Sequence, residues 1–120
     1  MIVWEPDKNV LRKAKIDDIV EAIHILTQLI PIGKVSSYKD IAETLGIHPR
    51  IVGYAMRKNE KPIIISCHRV VGSDGSLKNY SRGGPRVKKQ LLLIEGVEFD
   101  KNNRVKKSFF KSIKEIINDP

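Results

Sequence analysis

The stretch IIISCHRVV, residues 63–71, places three chemically active side chains inside a short apolar run. Its isoleucines and valines predict a buried strand. Cys67 is the only cysteine in 120 residues, so it can form neither a disulfide within the chain nor a multi-cysteine zinc site. A lone cysteine is more often a small buried apolar side chain than a nucleophile. Here the adjacent His68 and Arg69 favour a thiolate, which makes Cys67 a candidate nucleophile.

The composition is that of a globular domain with an excess of positive charge. The chain is 41% hydrophobic and 30% charged, and its length suits one domain. A net charge of +8 favours a polyanionic partner, nucleic acid ahead of a membrane surface, although a solubilising role is the alternative. The first residues, MIVWEPDKNV, lack the apolar run of a signal peptide, and no segment reaches the roughly 20 apolar residues of a membrane span. We expect a cytoplasmic, DNA-associated protein in a reducing compartment.

Upstream of the cysteine, the sequence predicts three helices. An amphipathic helix is expected over about residues 17–30, with His24 on its solvated face. Ser37 has the form of an N-cap for a second helix that Gly46 ends, and Pro49 begins a third that runs to about residue 58. Two short helices joined by a tight turn are typical of a helix-turn-helix, whose second helix is the candidate reader of DNA.

The ends of the chain are predicted to be accessory to this domain. Residues 1–15 are expected to be a loosely structured arm. Helices are predicted over about residues 86–95 and 108–118, with a short strand and turn over 97–104 between them. The expected fold is mainly α with a small β element, a winged-helix-like or helix-turn-helix domain over residues 16–99. Residues 100–120 form a C-terminal turn and helix.

Motifs on both sides of Cys67 extend the pattern. Asn59 and Pro62 precede the central segment, GKVSSY (residues 33–38) and RIVGYAM (residues 50–56) lie upstream, and NYS (79–81) and LLLIEG (91–96) lie downstream. In this order they resemble the active-site domain of O6-alkylguanine-DNA alkyltransferases. The chain departs from that family at Ser66 and at Glu60, where the family usually has proline. It also has no room for the amino-terminal domain that many members carry.

The resemblance implies direct repair of DNA. The Cys67 thiolate would attack the alkyl carbon on O6 of an alkylated guanine and keep the group, in a single self-inactivating turnover of a methylated-DNA–protein-cysteine methyltransferase. The expected partner is double-stranded DNA that contains O6-alkylguanine. We expect neither cofactor nor metal, and a monomer that does not bind membranes. The chain would act alone, or fused to or associated with another repair domain.

The resemblance also implies catalytic roles. His68 would act as base on Cys67, directly or through water, while Glu95 holds the imidazole. Adjacent side chains of a strand point to opposite faces, so a water bridge is the easier route. Tyr38 would donate a proton to N3 of the leaving guanine, and Asn59 would bond the backbone between the reading helix and the active-site strand.

Recognition of the damaged base is assigned in the same way. Ser81 would meet O6, and the backbone carbonyls of Cys67 and Val70 would accept the amino protons of guanine. Tyr80 and Met56 would wall the pocket.

The remaining assignments concern base flipping and the DNA backbone. Arg50 would fill the hole left by the flipped nucleotide. Gly53 costs the reading helix about 1 kcal/mol relative to alanine and is explained by close approach of another backbone, protein or DNA. Arg57 and Lys34 are candidate phosphate contacts on charge and position, as are Lys58 and Arg82.

Two other classes of protein fit part of the pattern. One is an alkyltransferase-like lesion sensor, which flips damaged guanine without reacting. In that subfamily another residue, often tryptophan, replaces the cysteine, so Cys67 argues against it. The other is a plain helix-turn-helix regulator, which explains the charge but gives Cys67, His68 and Glu95 no role.

Overall fold

Five α-helices dominate the part of the chain that the computed structural model describes, which is residues 2–5, 7–58, 67–77 and 84–118. The helices are α1 (Ile16–Gln28), α2 (Tyr38–Leu45), α3 (Pro49–Arg57), α4 (Gly84–Ile94) and α5 (Ile113–Asn118). Four short strands accompany them: β1 (Ile2–Glu5), β2 (Val10–Lys13), β3 (Ser36–Ser37) and β4 (Val70–Val71). The predicted class, mainly α with a small β element, is confirmed.

The helix-turn-helix of α2 and α3 follows from local capping. Ser37 Oγ accepts the N–H of Asp40 at 3.0 Å at the start of α2, and Gly46 ends the helix in the left-handed conformation with φ +70°. Pro49 then occupies the first turn of α3, where its missing N–H costs nothing. His48 caps α3, because its Nδ1 accepts the N–H of Arg50 at 3.1 Å. The predicted bounds of both helices are confirmed to within a residue or two.

A parallel pairing brings the cysteine segment to the start of α2. Ser36 pairs with Val70 and Ser37 with Val71. Cys67–Arg69 form a 3₁₀ turn directly before β4, so the prediction of a strand through this segment is wrong for residues 67–69. Apolar patterning reports burial but does not distinguish a three-residue turn from a strand. The isoleucines at 63–65 lie outside the described residues.

The amino-terminal residues form a hairpin, so the expectation of a loosely structured arm is wrong. β1 and β2 pair antiparallel, from Ile2 opposite Lys13 to Glu5 opposite Val10. Arg12 binds Glu5 within the hairpin and Asp18 of α1 at 2.6 Å. The first-turn carboxylate of α1 thereby anchors the hairpin to the helix.

The carboxyl-terminal helix is shorter than predicted. Lys107–Phe109 form a separate 3₁₀ turn, and only Ile113–Asn118 are α-helical. Phe110 instead makes a parallel bridge to Val35, beside β3. Asp40 Oδ2 accepts the Ile113 N–H at 2.6 Å and thus fixes the start of α5 on α2. The turn expected over 97–104 is present, closed by a bridge between Phe99 and Val105.

Two groups of buried side chains form the core. The first lies between α1, α2, α3 and α5 and includes Cys67; the second lies between α4 and the C-terminal segment. Core residues of the first group are Ile23, Ile30, Tyr38, Ile41, Ala42, Val52, Ala55, Met56, Cys67, Val70 and Ile113. Among the described residues, no helix combines the length and apolar character needed to cross a membrane.

Candidate active site

Cys67 is almost fully buried where the 3₁₀ turn meets the first core group. Its exposed fraction is 2%, and Tyr38, Met56 and Val70 belong to the same group. Helices α1 and α4 both pack on the turn. The structure therefore places three of the residues predicted from sequence in the same core group as the thiol.

A shared carboxylate holds the two residues after the cysteine. Glu95, which follows α4, accepts the His68 Nε2–H at 2.9 Å on Oε2. Arg69 donates to both oxygens of the same carboxylate, from Nε at 2.9 Å and from Nη2 at 2.8 Å. The third donor of Arg69, Nη1, binds the carbonyl of Ile30, two residues after α1, at 2.9 Å. The predicted His68–Glu95 pair is present, and Arg69 adds the bidentate contact that orients the carboxylate.

The protonation of this pair suits a base. Burial lowers the pKa of His68, and its bond to Glu95 opposes that shift without reversing it, so the imidazole is neutral near pH 7. Burial acts to raise the pKa of Glu95, but hydrogen bonds from Arg69 and His68 outweigh it and hold the pKa below its ordinary value. Because Nε2 donates to Glu95, the neutral ring presents Nδ1 as an acceptor. Nδ1 is buried and has no hydrogen-bond partner among the described residues.

Lys88 of α4 is a site residue that the sequence analysis missed. Its side chain is fully buried, and Nζ donates to the Tyr38 hydroxyl at 3.1 Å. Burial lowers the pKa of Lys88 to about 7, while the charge of Cys67 opposes the shift. Burial, followed by the charge of Cys67, raises the pKa of Tyr38. One signal was available: Lys88 lies seven residues before Glu95, on the same side of the helix.

A groove of about 550 Å³ opens between the helix-turn-helix and the turn after β4. Tyr38 and Arg50 both line it, joined by Lys39, Pro49, Gly72 and Ser73. Arg50 is exposed near the start of α3. The groove thus connects the predicted flipping residue to the predicted proton donor, and it adds Lys39 and Ser73 to the candidate contacts.

The other predicted residues of α3 lie either on its buried side or on its exposed side. Val52, Gly53, Ala55 and Met56 are buried, whereas Arg57 and Lys58 are exposed and Tyr54 is half-buried. Arg50 and Arg57, the two cations of α3 that are predicted to contact DNA, are therefore both exposed. Lys34 is placed elsewhere: its Nζ lies 5.9 Å from the centroid of the Phe109 ring, beside the C-terminal segment.

His24 differs from its expected place on a solvated face. Its Nε2 donates to the Ala55 carbonyl at 2.7 Å and so joins α1 to the last turn of α3. The spacing within α1 places this residue opposite the core, but it does not show that a neighbouring helix end lies within reach.

Three predicted residues, Asn59, Tyr80 and Ser81, lie outside the described residues, and so do Ser66 and Arg82. Within the described ranges, no group of three or more histidine, cysteine or acidic side chains could hold a metal ion.

Comparison with known proteins defines the class to which this fold and site belong. The family model of the 6-O-methylguanine DNA methyltransferase DNA-binding domain matches residues 18–97 of the sequence. This range contains Cys67, Lys88 and Glu95. The chain belongs to this family.

Relatives and solved structures agree with the assignment. Over 67 residues the chain is 55% identical to the methylated-DNA–protein-cysteine methyltransferase of Pyrobaculum aerophilum, covering 56% of this chain and 45% of that protein. The chain thus spans about half the length of the curated relatives that it matches. S. pombe Atl1, solved with damaged DNA containing O6-carboxymethylguanine, superposes with a TM-score of 0.68 at 28% identity and covers 82% of this chain and 99% of its own. The O6-methylguanine-DNA methyltransferase of Pyrococcus kodakaraensis superposes with a TM-score of 0.59 at 43% identity. This match covers 66% of this chain and 46% of that protein.

Proposed function

We propose that this chain repairs DNA by transferring the alkyl group of O6-alkylguanine irreversibly to Cys67. The observation that carries the proposal is the environment of the buried thiol. Cys67 adjoins a neutral histidine whose Nε2 is fixed by Glu95 and whose buried Nδ1 can accept a proton. A proton acceptor next to a thiol is the requirement for nucleophilic attack by cysteine near neutral pH.

The first step is formation of the thiolate. The thiol proton passes to His68 Nδ1, directly or through one water, and Glu95 stabilises the imidazolium that forms. Lys88 assists in its charged form, because a cation beside Cys67 favours the anionic sulfur. Arg69 holds the Glu95 carboxylate on both oxygens, so its orientation does not depend on His68 alone.

Alkyl transfer is a direct displacement. The sulfur lone pair forms the S–C bond, the C–O6 bond breaks, and its electron pair passes to guanine. Tyr38 donates a proton to N3 of the departing base, and Lys88, bonded to the Tyr38 oxygen at 3.1 Å, can return one to it. The product is a stable thioether, so each chain reacts once.

The groove beside α3 supplies the route for the base. The exposed Arg50 takes the place of the flipped nucleotide in the duplex, and Arg57 contacts the backbone. Met56 and the Val70 carbonyl contribute to the guanine pocket, and Gly53 allows the close approach of a backbone. Asn59, Tyr80 and Ser81 keep the roles implied by the resemblance. We further propose that the chain acts as a monomer on double-stranded DNA, alone or joined to another repair domain.

A non-reacting lesion sensor is the second candidate, favoured by the match to Atl1, which extends over 99% of that protein. Cys67 distinguishes the two functions. If the chain is a sensor, the pocket binds the alkylated base without alkyl transfer, and the buried His68–Glu95 pair only stabilises the fold.

Intact-mass measurement separates these functions. The chain is incubated with a duplex oligonucleotide that carries one O6-methylguanine, and the alkyltransferase gains the mass of one methyl group, located on Cys67. The matched variant Cys67→Ser binds the same duplex and gains no mass. Tight binding by the unmodified sequence without mass gain identifies the sensor, and turnover beyond one equivalent contradicts irreversible transfer.

A further inference from the structure

A second cleft, of about 600 Å³, lies on the outer side of α4. One side of this helix forms one wall, the tight turn at residues 102–104 forms the other, and Ser76 and Leu77 complete the lining. None of its lining residues belongs to the thiol site or to the groove beside α3. The turn also lies outside residues 18–97, the range that the family model matches.

The cleft faces away from Cys67. On α4, Lys88 is directed toward Tyr38, whereas the lining residues Arg86, Lys89 and Leu93 fall on the other side of the helix at roughly 100° per residue. A ligand in the cleft therefore does not compete with the base in the active site.

Among the described residues that line the cleft, three are cations and none is a carboxylate. Arg86 and Lys89 come from α4, and Arg104 comes from the turn. Lys89 binds the neutral amide oxygen of Asn103 and lies 5.2 Å from the centroid of the Phe99 ring, and it forms no salt bridge with a described carboxylate. Arg104 lies 3.9 Å from Asp74, but both side chains are about half exposed, so this pair is weak. The cleft therefore favours an anionic ligand.

The walls are held in place by hydrogen bonds before any ligand binds. Asp100 Oδ1 accepts the N–H groups of Asn102 at 2.8 Å and Arg104 at 3.1 Å, which closes the turn. The Val105 N–H then binds the Gly75 carbonyl at 3.0 Å. Gly75 has φ +87°, and a Cβ there would lie 2.6 Å from the Val105 carbonyl oxygen, so glycine permits this close docking. A preformed cleft loses little conformational entropy on binding.

The remaining lining residues indicate the kind of ligand. Leu77, Pro85 and Leu93 are apolar, and the Leu93 side chain is 49% exposed. The amides of Gln90, Asn102 and Asn103 can bond a peptide backbone. A duplex backbone presents regularly spaced phosphates and polar sugars rather than projecting aliphatic side chains, so it would make little use of the apolar part of this lining.

We propose that this cleft binds an acidic peptide segment of a partner protein, in which carboxylates alternate with aliphatic side chains. Carboxylates would pair with Arg86, Lys89 and Arg104, and the aliphatic groups would cover Leu77 and Leu93. The site would allow the chain to bind another protein while α3 contacts DNA. The proposal does not depend on alkyl transfer, so it can fail while the proposed function stands.

The test is a titration of the ¹⁵N-labelled chain with a short acetylated peptide of alternating glutamate and leucine. We expect the largest amide shifts at residues 86–93 and 102–104, and a dissociation constant that rises with salt. The double variant Arg86→Glu/Lys89→Glu should weaken binding by about tenfold or more, as expected for reversing two contacts of like sign. Arg104→Glu, on the opposite wall, should also weaken peptide binding. This variant provides the test if the double variant does not fold.

The matched control is Arg50→Glu/Arg57→Glu, which reverses two cations on the DNA-reading side. This variant should lose affinity for duplex DNA and keep its affinity for the peptide. Equal peptide affinity in both double variants would show attraction to net charge alone and overturn the proposal. A glutamine–leucine peptide that binds equally well, or an undamaged duplex that shifts the same amides and displaces the peptide, would overturn it as well.

Discussion

At the scale of single residues, burial determines the chemistry of this site. Lys88 and His68 are fully buried, and burial lowers the pKa of each. Glu95 instead remains ionised, because Arg69 and His68 both donate to it. A cation with its pKa near 7 thus interacts with the charge of the thiol, and a neutral imidazole held by a fixed carboxylate follows Cys67 in the chain.

The low pKa of Lys88 predicts a pH dependence of folding. Between about pH 7 and 10.5 the unfolded chain binds more protons at residue 88 than the folded chain, so this group makes stability rise with pH. The slope has an upper limit of about 1.4 kcal/mol per pH unit. In Lys88→Met this contribution should vanish, as measured by urea unfolding between pH 7 and 9.5. Lys114→Met, at an exposed position of α5, is the control and should keep the slope of the unmodified chain. An unchanged slope in Lys88→Met would show that residue 88 does not titrate in this range.

Arg50 and Tyr38 line one groove but should affect different steps. Arg50→Ala should slow repair of duplex DNA strongly, because restacking of the base, worth a few kcal/mol, is no longer opposed. It should hardly change the reaction with free O6-benzylguanine, which needs no flipping. Tyr38→Phe should slow both substrates by about 10² to 10⁴, since it removes the proton donor. Single-turnover rates for both substrates test the assignment, and equal slowing of both by Arg50→Ala would reject the flipping role.

At the scale of elements, the reading helix is held at both ends by different means. Its start is fixed by local capping at His48 and Pro49. Its last turn is fixed from outside, by the bond from His24 of α1 to the Ala55 carbonyl. The last carbonyl groups of a helix lack their full set of partners inside the helix, and His24 gives the Ala55 carbonyl a second donor beside the Lys58 N–H.

Loss of the His24 bond should loosen the last turn of α3. His24→Phe keeps an aromatic ring but removes the donor, and it should cost about 1 kcal/mol in the free energy of unfolding. Hydrogen exchange at the Lys58 amide, which donates to Tyr54 and Ala55, should become faster. His48→Phe provides the comparison, because it removes a cap at the other end and should leave the Lys58 amide protected. An equal rate of hydrogen exchange at the Lys58 amide in His24→Phe and in the unmodified chain would contradict the stabilising role of His24.

At the scale of the whole molecule, the net charge of +8 and the exposed cations of α3 act together. In the proposed function, long-range attraction would bring the chain to DNA without regard to sequence, and the lesion would then be recognised in the pocket. The cations of the cleft along α4 form a second charged surface, for which we propose a different partner.

The affinity for duplex DNA should therefore fall as salt rises. The logarithm of the association constant should decrease linearly with the logarithm of the salt concentration, with a slope of about −0.9 for each phosphate contacted. Arg57→Gln should reduce the magnitude of this slope by about one contact. Fluorescence anisotropy with an undamaged duplex measures both quantities. A salt-independent affinity would show that the cations do not contact phosphate.

The sequence by itself determined the helix-turn-helix and the family, and it showed that Cys67 is the one thiol of the chain. Ser37, Gly46 and Pro49 act on backbone within four residues, so their effects are visible in a linear pattern. Tertiary structure alone decided the contacts of Lys88 with Tyr38, of Arg69 with Glu95 and of His24 with Ala55. These partners lie 50, 26 and 31 residues apart, and packing of separate elements sets their distances. The amino-terminal hairpin was missed although its partners lie close in the sequence, because cross-strand pairing and the Arg12–Asp18 contact depend on how the chain folds back on itself.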